Sequence, residues 1–357
     1  MTTMLDCIRQ SAVTGKVILD NARKNTDALV ELVKDAKKLE AIEVIGSGSS
    51  YNASFTEVAF MEKVTGLPTH VYHPNAFARK TVYNPNALYI FVSQSGTSSL
   101  VKQQVLKINE LGGCTVAVTD DRTSPIATAC KLNVSIEVNG EPFGYRTVGF
   151  CSTFMTLKVI ALRIGLENGN LTEEQYSGYL ADGYKAIENH PAVVEAGLKW
   201  FEANKDVLKG LRSVMYYGGG ELHGIAIEGA LKLLETPKLY LSFGWEAEDG
   251  IHGPVYGFNK GDTIIFLNDG VQDRQYAEAM VKFSKNELGV GYMFGPKPVD
   301  DKDLCFEVKS ENFKELEFSP AVQIIAYEMA VINDVPVLDM AHRVPHVSGS
   351  YFQTHQG

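Results

Sequence analysis

The 357-residue chain lacks the features that would tie it to metal, disulfide or nucleic-acid chemistry. Its five cysteines (Cys7, Cys114, Cys130, Cys151 and Cys305) are odd in number and scattered, with neither a C-x-x-C pair nor zinc spacing. This predicts reduced packing cysteines in a cytoplasmic protein. The eight histidines show no metal-ligand spacing. Basic residues are outnumbered, 33 Lys and Arg against 43 Asp and Glu, for a net charge of −10. Such a balance offers no basic surface for a polyphosphate and argues against a nucleic-acid partner. No run reads as a membrane span, and the N-terminus has no long apolar core, so no membrane partner is expected. What remains is 45% hydrophobic and 21% charged, an ordinary globular composition with room for two cores.

The most informative stretch is "LYIFVSQSGTSSL", Leu88 to Leu100. An apolar, β-branched and aromatic run predicts a buried strand. It stops at Ser93-Gln94-Ser95-Gly96-Thr97-Ser98-Ser99, and an amphipathic helix is expected from Leu100 to Leu111. The first N–H groups of a helix are unpaired and its dipole is positive there, so a hydroxyl-rich entry makes an anion site. The loop has no lysine, which excludes a nucleoside-triphosphate P-loop and leaves a cradle for one phosphate on a small molecule. A plain N-cap cluster without a ligand is the competing reading. The number of hydroxyls in the loop weighs against it.

Strand-like and helical stretches alternate, the mark of parallel α/β sheets. Strands are predicted at Ala41–Ile45, Thr69–Tyr72, Leu88–Val92, Thr115–Val118 and Leu132–Val138. A helical connector runs from Thr153 to Ala203, with a break at Glu167–Asn170. The pattern then restarts at Ser213–Tyr217, Leu239–Ser242, Asp262–Leu267, Gly291–Phe294 and Leu304–Val308. The halves look like a repeat. "IGSGSSYNAS" at Ile45 matches "YGGGELHGIA" at Tyr217, and Asn109-Glu110-Leu111-Gly112 matches Asn286-Glu287-Leu288-Gly289. The copies differ in one respect: the second replaces the hydroxyl loop with Asn268-Asp269-Gly270, whose aspartate would repel a phosphate.

The second half offers other chemistry. In "GIAIEGALKLLE", Glu228, Lys232 and Glu235 fall at i, i+4 and i+7 on one face of an otherwise apolar helix. A solvated salt-bridge stripe is the usual explanation for such a triplet. The apolar surroundings predict burial instead, and with it perturbed protonation. "LSFGWEAEDGIHGPV" follows, and its Gly244, Gly250 and Gly253 suit a tight loop over a site, with His252 within it. In the first half, Gly46-Ser47-Gly48-Ser49-Ser50 opens a helix but lacks the third glycine of a dinucleotide fingerprint. Ser50 converging with Ser93–Ser98 on one phosphate is the better reading. The turn "GEPFGYRTVGF" places Arg146 as a candidate partner for a carboxylate on an amine leaving group.

Taken together, "GSGSSYN", "SQSG-x-S/T", "EGALKLxE" and the "HGP" loop resemble the sugar isomerase (SIS) fold in tandem. The chain is similar to the isomerase half of glucosamine-6-phosphate synthase and to the fructosamine-6-phosphate and glucoselysine-6-phosphate deglycases. The resemblance implies an α/β protein with two tandem SIS domains, each a five-stranded parallel sheet flanked by helices in a flavodoxin-like three-layer sandwich. The expected boundaries are 1–34 for N-terminal helices, 35–165 for the phosphate-binding domain and 166–205 for the connector. They continue with 206–335 for the catalytic domain and 336–357 for a tail. The resemblance further implies that Ser50, Ser93, Gln94, Ser95 and Ser98 grip the sugar phosphate; Gly48, Thr147 and Arg146 complete the expected substrate-binding set. Glu235 would move a proton between C1 and C2, assisted by Lys232 and Glu228, and His252 would help open the ring. No cofactor is implied; a homodimer or larger homo-oligomer with shared sites is.

Two departures steer the expected activity. Fewer than about fifty residues precede the first strand, so no glutamine-hydrolysing domain is expected there. The synthase also has an imine-forming lysine near its C-terminus, whereas "LDMAHRVPHVSGSYFQTHQG" has His342 and Arg343 and no lysine. Both favour removal of an amine from a 6-phosphorylated sugar. An aldose–ketose isomerase or an amino-sugar phosphate deaminase is the first rival. A non-catalytic sensor is the second, weakened by the absence of a basic recognition helix.

Overall fold

The computed structural model describes residues 2–34, 38–142 and 144–337. The terminal stretch with His342 and Arg343 lies outside the described residues. These fall into two compact units, 14–141 with 148–181, and 2–13 with 142–147 and 182–337.

The first unit carries β1 (Ala41–Ile45), β2 (Thr69–Tyr72), β3 (Ala87–Val92), β4 (Cys114–Thr119) and β5 (Leu132–Ser135). They form one parallel sheet in the order β2-β1-β3-β4-β5. Every residue of β1 and β3 is buried, as central parallel strands covered on both faces require. The second unit carries β6 (Ser213–Gly218), β7 (Leu241–Glu246), β8 (Asp262–Leu267), β9 (Gly291–Gly295) and β10 (Leu304–Cys305). Its sheet reads β7-β6-β8-β9-β10 from one edge, the same topology as the first.

The repeat extends to single dihedral angles. Gly48 and Gly220 precede equivalent helices with φ, ψ of 57°, −132° and 56°, −130°. Non-glycine residues rarely visit that region. The strand order reverses direction between β1 and β3, and between β6 and β8, and ligands of open α/β sheets bind at that switch point.

Several boundaries differ from the sequence expectation. Strand β5 ends at Ser135 rather than Val138, because Glu137 and Asn139 turn into the left-handed region at φ 58°. Strand β7 starts at Leu241 rather than Leu239, after Lys238 takes φ 58°. Gly244 therefore belongs to a strand, not a loop. A Cβ there would lie 2.4 Å from the Ile227 backbone, so glycine lets the strand press on the helix Glu221–Glu235. Strand β10 is only two residues long. The expected connector is two helices, Val148–Glu167 and Glu173–Lys209, with the break where predicted. The first is, contrary to the sequence reading, long and apolar enough to cross a membrane, but it is wholly buried as a core helix. It holds Lys158 at 2.7 Å from Glu57, both without exposed side-chain surface.

Candidate functional site

In the first unit, Ile45 and Phe91 are register partners, so the turns after β1 and β3 leave the same sheet edge side by side. Gly48 opens the helix Ser49–Thr56, placing Ser50, half-buried, in its first turn. A Cβ on Gly46 would meet Ser50 and Tyr51 backbone at 3.2 Å, so the turn must be tight. After β3, Ser93 and Gln94 are each only 7% exposed, and Gly96 N–H donates to Ser93 O at 2.9 Å. Gly96 has φ 64°, and a Cβ there would lie 1.9 Å from Ser124 Oγ. The Ser95 and Thr97 hydroxyls are 2.9 Å apart.

Ser98 is the N-cap of the helix Ser99–Glu110, yet its side chain makes no cap hydrogen bond. An N-cap serine normally satisfies an orphan N–H of the first turn. Here the hydroxyl is not spent on the cap, and the plain N-cap explanation loses its basis. Two helix starts with half-buried hydroxyls thus lie at the switch point of this sheet. Tyr51 and His73 stack beside them, ring centroids 3.7 Å apart. Burial pushes the Tyr51 phenol up and the His73 imidazole down.

In the second unit, the turn after β8 carries Asn268-Asp269-Gly270 where the first unit has hydroxyls. Asp269 accepts from Lys314 Nζ at 2.8 Å, and Lys314 lies 3.3 Å from Glu221. Lys314 thus closes this turn with its ion pairs, and the remaining cavity of about 10 Å³ has room for about one water. Burial opposes the Asp269 charge, but Lys314 outweighs it and the carboxyl stays low. Lys314 carried no signal in the sequence because its partners are far away in the chain.

The helix Glu221–Glu235 packs on the helix Lys314–Ile332, with Gly229 against Val322. Glu228 and Lys232 have no exposed side-chain surface and lie 3.0 Å apart. Lys232 also donates to Glu235, whose side chain keeps 28% of its surface. Burial alone would lower the Lys232 pKa; Glu228 and Glu235 overcome it and hold the ammonium charged. Burial raises Glu235, Lys232 opposes the rise, Glu228 adds to it and Arg146 opposes it; the net direction is up. A carboxyl with one open edge and a raised pKa gives up its proton less readily than an ordinary carboxyl and can be reached from outside.

Arg146 therefore lies within electrostatic reach of Glu235. Its neighbour Tyr145 has Lys238 Nζ 5.4 Å from its ring centroid, a second cation on this side of the unit. Thr147 is fully buried, and its carbonyl accepts from Gln323 at 3.4 Å. His252 ends the short helix Asp249–His252, is 76% exposed, and has Glu248 rather than Glu235 as its neighbour, at 3.5 Å. Its loop is tied down where Tyr217 Oη donates to Gly250 O at 3.2 Å. Glu228, Lys232, Glu235 and Arg146 are thus brought together; His252 is not in contact with them among the described residues. None of the five cysteines forms a disulfide among the described residues, and burial pushes Cys130 up to about 12.

Residues 36–163 match the model of the SIS domain. The chain is 23% identical over 261 residues to the isomerizing glutamine–fructose-6-phosphate aminotransferase of Staphylococcus aureus, covering 72% of this chain and 43% of that protein. It thus spans less than half the length of that relative. Its fold matches a candidate phosphosugar isomerase of Clostridium difficile 630, with TM-score 0.89, 22% identity, and coverage of 99% of this chain and 100% of that one. It also matches the C-terminal domain of the glucosamine-fructose-6-phosphate aminotransferase of Francisella tularensis, with TM-score 0.81, 19% identity, and coverage of 94% and 97%.

Proposed function

We propose that this chain, a member of the SIS domain family through residues 36–163, is an enzyme that removes an amine from a 6-phosphorylated sugar. The phosphate binds at Ser50, Ser93, Gln94, Ser95 and Ser98, and Glu235 moves a proton between C1 and C2. The observation that carries the first half of this reading is Ser98, an N-cap hydroxyl that does not cap. The second half rests on Glu235, half-open, raised in pKa and hydrogen-bonded to a buried lysine.

For a sugar with the amine on C1 and a carbonyl at C2, Glu235 takes a proton from C1 while O2 takes one from solvent, which leaves an enolamine. Glu235 returns its proton to C2 and the nitrogen releases one to solvent, which makes a C1 imine. Water adds to that imine and expels the amine, leaving a hexose 6-phosphate. Phosphate binding remote from the reacting carbons supplies the energy that holds them in place. Lys232 orients Glu235 and limits its pKa. His252 assists ring opening.

Arg146 pairs with a carboxylate on the departing amine, a role supported by its place near Glu235. The lack of a lysine in the stretch around His342 and Arg343 also favours deglycation over amination. Isomerisation without amine release is the second reading, favoured by the isomerase named among the solved structures of this fold. A homodimer in the cytoplasm completes the proposal. Leu241 and Phe243 on edge strand β7 are 70% and 60% exposed, apolar surface that a second copy would cover.

Incubation with a panel of 6-phosphorylated fructosamines, glucosamines and ketoses, followed by mass spectrometry, tests the reaction. Amine and hexose phosphate released together support it. Ketose–aldose interconversion alone assigns the second reading.

A further inference from the structure

We propose that Glu141 is a positioning residue that sets the side-chain amide of Gln94 for phosphate binding, an inference that rests on the sugar-phosphate reading of the bend after β3. Gln94 Nε2 donates to Glu141 Oε2 at 3.0 Å, and Gly149 N–H donates to the same oxygen at 3.3 Å. The carboxylate thus sits at the start of the helix Val148–Glu167, where the dipole favours a negative charge. The amide lies flat against Gly149. A Cβ there would come 1.8 Å from Gln94 Oε1, so only glycine leaves room for it.

The loop that delivers Glu141 is itself held from Gln94. Asp120 N–H donates to the Gln94 carbonyl at 2.9 Å. The Asp120 carboxylate accepts from Val138 and Asn139 N–H at 2.9 Å and from Gly140 N–H at 2.7 Å. Those bonds hold a path in which Glu137 and Asn139 are left-handed. One aspartate therefore ties the Gln94 backbone to the segment whose next residue grips its side chain.

The chemistry gives this ring a purpose. A primary amide can turn either its oxygen or its NH₂ toward a ligand, and only the NH₂ suits a phosphate. An ionised carboxylate accepts but does not donate, so Glu141 binds the NH₂ and forbids the flipped amide. Gln94 Oε1 is left buried without a hydrogen-bond partner. The second hydrogen on Nε2 then remains for the anion. A negative group this near an anion site opposes binding by itself, and orientation of the donor is what it returns.

The test uses the full chain as wild type, Glu141→Ala, Glu141→Gln, Gln94→Ala and the Glu141→Ala/Gln94→Ala double variant. The Gln94 side-chain amide is followed by ¹⁵N–¹H NMR, identified by its loss in Gln94→Ala, and fructose 6-phosphate binding is measured by calorimetry. Glu141→Ala should shift the Gln94 signal and weaken binding about tenfold, the loss of one charge-assisted hydrogen bond. Glu141→Gln can turn its own NH₂ toward Gln94 and no longer forbids the flip, so the signal should move and binding should weaken by up to about tenfold. It serves alone if the alanine variant does not fold. The double variant should bind no more weakly than Gln94→Ala. An unmoved Gln94 signal in either Glu141 variant, or additive losses in the double variant, overturns the proposal. If the signal moves but wild type does not bind the probe, the positioning role stands and the sugar-phosphate reading falls.

Discussion

Lys232 donates a hydrogen bond to Glu235 one turn along the same helix, joining a fully buried ammonium to a half-open carboxylate. That bond sets opposing demands on Glu235: burial drives its pKa up and the ammonium pulls it back. The net direction is up, which suits the proposed exchange of one proton with substrate better than an ordinary carboxyl would.

Glu235→Gln keeps the shape and removes the base. Turnover should fall by about 10³-fold, within the range of general-base deletions. Fructose 6-phosphate should still bind within a few-fold. Single-turnover amine release and calorimetry check both numbers, and activity within tenfold of wild type would dismiss Glu235 as the base.

Lys232→Met removes the cation that holds Glu235 down. The acid limb of the pH–rate profile should move to higher pH, since Glu235 then ionises later. It also removes the buried cation 3.0 Å from buried Glu228, at a cost of about 3–5 kcal/mol in urea unfolding. A limb that moves to lower pH would contradict the ion-pair account.

Ser98→Ala separates a cap from a ligand contact. A capping serine is worth about 1 kcal/mol of stability, but this one makes no cap bond, so the melting midpoint should barely move. Fructose 6-phosphate binding should weaken about tenfold. Loss of stability with unchanged binding would return Ser98 to the role of a plain N-cap.

Arg146→Ala should lose discrimination between substrates whose amine carries a carboxylate and those whose amine does not. Relative kcat/KM for a fructosamine made from an amino acid and one made from a simple alkylamine measures this. Unchanged selectivity removes Arg146 from leaving-group recognition.

His190 gives a pH prediction for stability. Its ring nitrogens are buried without partners, and burial lowers its pKa from 6.5 to about 4. Between those values the unfolded chain binds a proton that the native imidazole refuses, so stability falls as pH drops from about 6.5 to about 4. The loss is about 3 kcal/mol for a shift of that size. His190→Leu should flatten this part of the urea-midpoint profile, and an unaltered slope would assign the acid sensitivity elsewhere.

Much of this protein was legible in its sequence because the signals were local. The matching Gly-x-Gly turns predicted equivalent helix starts, and Gly48 and Gly220 share one unusual conformation. The i, i+4, i+7 spacing of Glu228, Lys232 and Glu235 required only helical geometry, and burial of the first two followed from their apolar neighbours. What stayed hidden depends on partners far apart in the chain. Gln94 and Glu141 are 47 residues apart, and Asp269 and Lys314 are 45 apart. No period or motif links such pairs before the sheet edges bring them together. Strand β7 was misplaced for a related reason, since the left-handed turn at Lys238 has no glycine to announce it.

A crystal structure with fructose 6-phosphate bound tests the central claim most directly. The phosphate is predicted to lie against Ser50 and the bend from Ser93 to Ser98, accepting from the Ser98 hydroxyl and the exposed N–H groups of the two helix starts. A phosphate found anywhere else on the molecule would contradict the account.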